Sequence, residues 1–167
     1  MTIIHWRHLP FSRPKTALVL AILAIEAVGA LGGIFTVQSV DTWYQTLTRP
    51  ALAPPGWVFA PVWTTLFALM GVALYRIWAL AREQYAASQA VRWFLAHMIL
   101  NVGWSAAFFG LESTGAGLAV IAVLWVAIGL LVRRFVRLDR LAGALLVPYW
   151  LWVTFAAVLN YQLWLLN

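Results

Sequence analysis

Five apolar runs, each long enough to cross a bilayer, constrain this chain more than any other feature. A helix crossing about 30 Å of hydrocarbon at 1.5 Å per residue needs about 20 predominantly apolar residues. The segments Thr16 to Gln38, Trp57 to Ala81, Arg92 to Gly110, Thr114 to Val132 and Leu141 to Leu165 all meet that length. With 64% hydrophobic and 10% charged residues and a mean hydropathy of +0.87, the chain has too little polar surface to coat a soluble globule of 18.7 kDa. The expected fold is an all-α integral membrane protein: a basic N-terminal tail over residues 1–15, then one five-helix transmembrane domain over 16–167. The first run exceeds the apolar core of a signal peptide, and Gln38-Ser39-Val40 makes a poor cleavage site, so this segment is expected to stay in the mature chain.

Charge placement sets the expected direction. Arg7, Arg13 and Lys15 precede the first run; Arg76, Arg82 and Arg92 flank the second connection; Arg133, Arg134, Arg137 and Arg140 fall in the fourth. Those ten stand against Arg49 alone on the opposite side. The positive-inside rule then gives a cytoplasmic N-terminus and an external C-terminus, and argues for the cell membrane of a bacterium. A net charge of +6 could also suit nucleic acid, but the basic residues sit in short runs beside apolar segments, and no nucleic-acid partner is expected. Cysteine is absent, which removes disulfides, thiolate metal sites and thiol nucleophiles.

Ser39 to Gly56 is the only long connection. Asp41 is placed to cap a short helix in TWYQTL, Trp43 and Tyr44 give that helix an apolar side, and Pro50, Pro54 and Pro55 keep the return path extended. A structured lid between the first and second spans is the expectation; an interfacial loop anchored by Trp43 is the alternative.

Polar groups inside the runs are costly and each raises a question of role. Glu26 is followed by Gly29 and Gly33, a GxxxG pair suited to close helix approach, across which a protonated Glu26 could bond. In the third run His97, Asn101, Trp104 and Phe108 share one face and would line an interior, while Ala96, Gly103, Ala107 and Gly110 form a small-residue stripe suited to helix packing or a dimer contact. Asn101 and His97 equally suit ligand contact or bonding to a neighbouring backbone. Lys15, the only lysine, lies at the edge of a span, and His97 is the only intramembrane histidine, so neither a buried Schiff base nor a bis-histidine haem or multi-histidine metal site can be built in one chain. No Ser-His-acid motif is present.

Eleven tryptophans divide into two groups. Trp6, Trp43, Trp57, Trp78, Trp93 and Trp164 lie near span ends, where an aromatic belt accounts for them. Trp63, Trp104, Trp125, Trp150 and Trp152 lie deeper. Trp63, Phe67 and Met70 share a face of the second span, and Pro148, Trp152 and Ala156 share one of the fifth. Two such faces could sandwich a planar ligand or simply pack as core.

The motif DTWYQTLTRPALAPPGWVFAPVWTTLFALMG resembles the signature of the translocator protein family, also called tryptophan-rich sensory proteins or peripheral benzodiazepine receptors. LNVGWSAAFFG in the third span and LLVPYWLWVTFAAVLNYQLW in the fifth continue the resemblance in order. It implies a five-helix bundle, usually a homodimer, binding porphyrins such as protoporphyrin IX and haem, and in some members sterols and benzodiazepine-type ligands. No cofactor is obligatory and no metal site is implied. Carried onto this chain, the ligand-binding positions are Tyr44, Pro54, Trp63, Phe67, Asn101, Trp104, Trp152, Phe155 and Ala156. Trp63 and Trp152 match tryptophans implicated in slow light-dependent oxidative porphyrin breakdown, the nearest thing to a catalytic pair. Sterol binding is placed in doubt, because Tyr161 is followed by QLWLLN rather than by the Arg or Lys of the family's cholesterol motif.

A receptor or sensor for tetrapyrroles is thus the leading expectation. Transport of porphyrins or other amphiphiles is a second, although no inverted repeat, mid-membrane break or ion-coupling pair is visible. A scaffold for partner membrane proteins is a third.

Overall fold

The computed structural model describes residues 14–81 and 83–167. Residues 1–13 of the basic tail, with Trp6, Arg7 and Arg13, and Arg82 lie outside the described residues, while Pro14 and Lys15 open the first helix. Five long helices carry the chain back and forth: α1 (Pro14–Ser39), α3 (Phe59–Leu80), α4 (Tyr85–Ser105), α5 (Thr114–Leu138) and α6 (Arg140–Leu166), with a short α2 (Trp43–Thr46) in the first connection. All five long helices have the length and hydropathy to cross a membrane.

The helices outrun the apolar runs. α4 begins seven residues before Arg92, because YAASQAV is a sound helical lead-in even though it is too polar to count as span. α5 continues through Arg133, Arg134 and Arg137 to Leu138, so these arginines ride on the last turns of a helix rather than in a loop. Asp139 alone then separates α5 from α6. Its Oδ1 accepts from the N–H groups of Leu141 and Ala142 at 2.9 and 3.0 Å, and Oδ2 accepts from Arg76 of α3 at 2.6 Å. Burial by itself would raise the Asp139 carboxyl, but the Arg76 hydrogen bond, the Ala142 N–H, the Arg76 charge and the Leu141 N–H together hold it below the usual carboxylate value. One carboxylate thus caps a span and ties it to another at the arginine-rich end.

Around the bundle α1 packs on α3, α3 on α6, α6 on α5, α5 on α4 and α4 back on α1, with α3 and α4 also touching. Lipid is as apolar as leucine, so shape rather than water exclusion holds such helices together. The shared core runs through Ile25, Phe67, Phe94, Ile128 and Tyr149, one from each long helix. Two glycines set the approach of α1 and α3. A Cβ on Gly71 would lie 2.6 Å from the Ile22 Cα, and one on Gly29 would lie 2.2 Å from Phe67 Cε2. Gly33, by contrast, has nothing within 4 Å, so the two glycines do not serve one joint contact within the chain. Glu26 is half-buried and makes no hydrogen bond to any described residue, so no bond crosses that contact.

The first connection folds as a lid, with one correction. The N-cap position of α2 is held by Thr42 rather than Asp41, and no side-chain hydrogen bond caps the helix. The turn is stitched instead by Thr42 Oγ1 and Gln45 Nε2, which donate to the carbonyls of Gln38 and Val40 at 3.2 and 3.1 Å. A single 3-10 turn, Gly56–Val58, then leads into α3, and Pro61 is its third residue, where a missing N–H costs no helical bond.

Candidate functional site

The lid sits on aromatic side chains supplied by the end of α4. There the helix widens into a π turn over Ala106–Gly110, closed by Leu111 N–H to the Ala106 carbonyl at 2.8 Å. Three successive residues of an α-helix cannot all face one way, but the wider turn buries Ala107, Phe108 and Phe109 together. Trp43 meets Phe108 edge-on with centroids 5.4 Å apart, and Tyr44 lies 6.3 and 5.9 Å from Phe108 and Phe109. Ser39 Oγ donates to the Phe109 carbonyl at 2.8 Å, fixing where α1 hands over to the lid. Burial pushes the Tyr44 phenol above its ordinary pKa, against a partial downward pull from Arg49, so it stays neutral. The far side of the lid is held differently: Thr48 N–H donates to Asn167 Oδ1 at 2.9 Å, and Asn167 Nδ2 donates back to the Thr48 carbonyl at 3.2 Å.

Below the lid two aromatic pairs come from adjacent helices. On α3 Trp63 stacks on Phe67 with centroids 5.2 Å apart. On α6 Trp152 packs at 5.4 Å from Phe155, and it also meets Phe59 of α3 edge-on at 6.1 Å. Trp104 of α4 stacks on Phe108 at 5.6 Å and belongs to the packing both of the main core and of the cluster under the lid. Ala156 packs against the main core, while Phe155 and Tyr44 pack against the lid cluster. Pro54 is half-buried but joins neither cluster, whereas its neighbour Ala53 packs against the lid cluster.

Few polar groups interrupt these walls, and all are placed with care. Asn101 Nδ2 donates to Tyr149 Oη at 2.8 Å, and the Tyr149 ring stands edge-on to both Trp63 and His97, at 6.3 and 5.8 Å. The His97 Nδ1 bonds the Phe94 carbonyl one turn back, leaving a buried Nε2 without a partner. Asn160 accepts from Trp104 Nε1 at 3.2 Å and donates to the Thr114 carbonyl at 2.8 Å, tying three helices together. Among the described residues no three His, Asp or Glu side chains converge to hold a metal ion.

The expected inward face of α4 is therefore real: His97, Asn101 and Phe108 are buried and Trp104 is half-buried. The small-residue stripe is mixed, with Ala107 buried but Ala96 and Gly110 exposed and Gly103 open to space. Among the deeper tryptophans Trp125 and Trp150 stand apart from the lidded pairs. They pack on each other at 5.3 Å along the α5–α6 seam, where Trp125 donates to Thr154 Oγ1 and Trp150 to the Trp125 carbonyl. Tyr149 and Asn160 were not singled out from sequence, although positions 149, 152, 153, 156 and 160 trace one face of α6 at helical spacing and carried the signal.

Comparison with known proteins meets this geometry. The TspO/MBR family model matches residues 21–165, from within α1 through the lid and the next three long helices to within a residue of the end of α6. The chain belongs to the TspO/MBR family. It is 42% identical over 150 residues to the tryptophan-rich protein TspO of Chlorobaculum tepidum, covering 90% of this chain and 95% of that one. To the tryptophan-rich sensory protein of Cereibacter sphaeroides it is 36% identical over 151 residues, covering 90% and 92%. The translocator protein of Bos taurus is 31% identical over 137 residues, with 81% of each chain covered. TspO/MBR membership and five helices suited to spanning make this an integral membrane protein.

Proposed function

We propose that this TspO/MBR member is a membrane receptor for tetrapyrroles, taking protoporphyrin IX or haem between its lid and the aromatic walls beneath. The observation that supports the reading most is the pairing of Trp63 with Phe67 on α3 and of Trp152 with Phe155 on α6, roofed by Tyr44 and floored by the bonded Asn101 and Tyr149. A planar macrocycle offers two faces, and each aromatic contact adds about 0.5–1.5 kcal/mol beyond the area it buries. Trp104 and Ala156 complete the walls, Pro54 shapes the lid's return, and benzodiazepine-type ligands would compete for the same space. Relatives named sensory and translocator proteins fit a ligand-responsive membrane protein. The N-terminus lies in the cytoplasm of a bacterial cell, the lid faces outward, and two copies associate as a homodimer.

Bound porphyrin excited by light would draw an electron from the indole of Trp63 or Trp152, with dissolved dioxygen as the oxidant that carries breakdown forward. Such an activity is slow and incidental to binding. Illumination of the purified complex in aerated detergent tests it: loss of the porphyrin absorption band should need the protein and slow in Trp63→Phe and Trp152→Phe. Band loss at the same rate in both variants would remove the indoles from the chemistry, and no protein-dependent loss would leave a receptor alone.

A further inference from the structure

A groove between α4 and α5 lies outside the lidded site. It encloses about 580 Å³. Apart from His97 and Arg134 its walls are apolar, with Leu100, Val123, Val126 and Leu130 among them, and the small side chains of Ala122 and Ala127 leave the room. At its arginine-rich end the guanidinium of Arg134 stands 4.7 Å above the ring of Trp93, and both residues line the groove. No acidic residue lines it. Asp139, five residues further on, already holds Arg76. A cation is therefore parked on an exposed indole, facing the surroundings of the bundle, with no carboxylate to neutralise it.

Depth identifies the occupant. From Ala122 to Arg134 the helix rises by roughly 18 Å, close to the roughly 15 Å that one leaflet contributes to a 30 Å hydrocarbon core. The groove thus runs from headgroup level at Arg134 to about the middle of the bilayer, the reach of one acyl chain. Basic pockets between spans on the positive side of a membrane suit anionic lipid headgroups.

We propose that this groove binds an anionic phospholipid of the arginine-side leaflet, its phosphate on Arg134 and one acyl chain along the small side chains of α5. Any lipid tail fits the apolar walls, so preference for the anionic headgroup is the property that makes it a site. The site is independent of the tetrapyrrole reading.

Native mass spectrometry of the full chain, released from micelles carrying equal amounts of phosphatidylglycerol and phosphatidylcholine with identical acyl chains, tests it. Retained phosphatidylglycerol should exceed phosphatidylcholine by about five-fold, the factor that one near-surface arginine supplies. Arg134→Gln should bring that ratio close to one, and Arg137→Gln, outside the groove, should leave it unchanged. Ala127→Phe fills the groove and should lower retention of both lipids. Equal retention by the wild-type chain, or a preference that survives Arg134→Gln, overturns the proposal. So does a dimer that Ala127→Phe splits without any headgroup preference, which would give the groove to a second copy.

Discussion

Replacing Gly29 by alanine should damage the candidate site without touching a single polar group. The added Cβ would lie 2.2 Å from Phe67 Cε2 and 2.6 Å from Cζ, whereas carbon atoms in contact rest at about 3.5–4.0 Å. The ring must therefore retreat by roughly 1.3 Å to reach the near edge of that contact range. It has nowhere easy to go, being only 8% exposed and stacked on Trp63. Overpacking of this kind costs about 1–3 kcal/mol, and a wall moved by that distance should weaken protoporphyrin IX binding about ten-fold, equivalent to 1.4 kcal/mol. Gly33→Ala is the control, since a Cβ there meets nothing within 4 Å; it should change stability by less than about 0.5 kcal/mol. Reversible denaturant unfolding in detergent and a fluorescence titration give the two readouts. Unchanged stability and affinity in Gly29→Ala would refute the packing argument. Damage from Gly33→Ala would instead show that the glycine pair serves a contact between chains.

Asp139→Ala should cost about 1 kcal/mol through the lost cap of α6, and about as much again through the half-buried pair with Arg76; Asp139→Asn keeps a capping oxygen and should lose only the second part. Because the native carboxyl is held below its unfolded value, its stabilisation is full above the unfolded pKa and fades as pH falls through the native one. Unfolding midpoints measured down an acid series should therefore fall in the wild type and stay flatter in Asp139→Ala. Asn160→Leu removes the acceptor of the Trp104 indole and the donor to Thr114, and should cost about 1 kcal/mol by the same unfolding assay. Asn167→Ala should loosen only the far side of the lid, speeding amide exchange of residues 47–53 about five-fold while leaving the Trp43 and Tyr44 side nearly as protected.

Much of the fold was legible because the bilayer imposes a length that soluble folds do not. The five runs were enough to place the helices in order. Helix ends were not, since hydropathy marks where a helix meets lipid and says nothing of polar turns such as Tyr85 to Val91, or of arginines that ride a helix outward. Asp41 looked like a cap because its residue type suits one, yet a four-residue helix is short enough for Thr42 and Gln45 to stitch it without help. At the site, spacing brought out the inward face of Asn101 and Trp104 and the stacked Trp63 and Phe67. It did not bring out the π turn, which depends on Phe108 and Phe109 both finding room under the lid. Nor did it mark Tyr149, whose role rests on Asn101 reaching it from another helix, or separate Trp125 and Trp150 from the other deep tryptophans, since depth along a span leaves facing undetermined.

The central claim is that a tetrapyrrole sits against Trp63 and Trp152 beneath the lid. Titrating the detergent-purified chain with protoporphyrin IX in the dark, following tryptophan fluorescence in the wild type, Trp152→Phe and Asn101→Ala, tests it most directly. The account predicts saturable quenching in the wild type and weaker binding in both variants. Quenching that never saturates, or equal affinity in all three proteins, would contradict it.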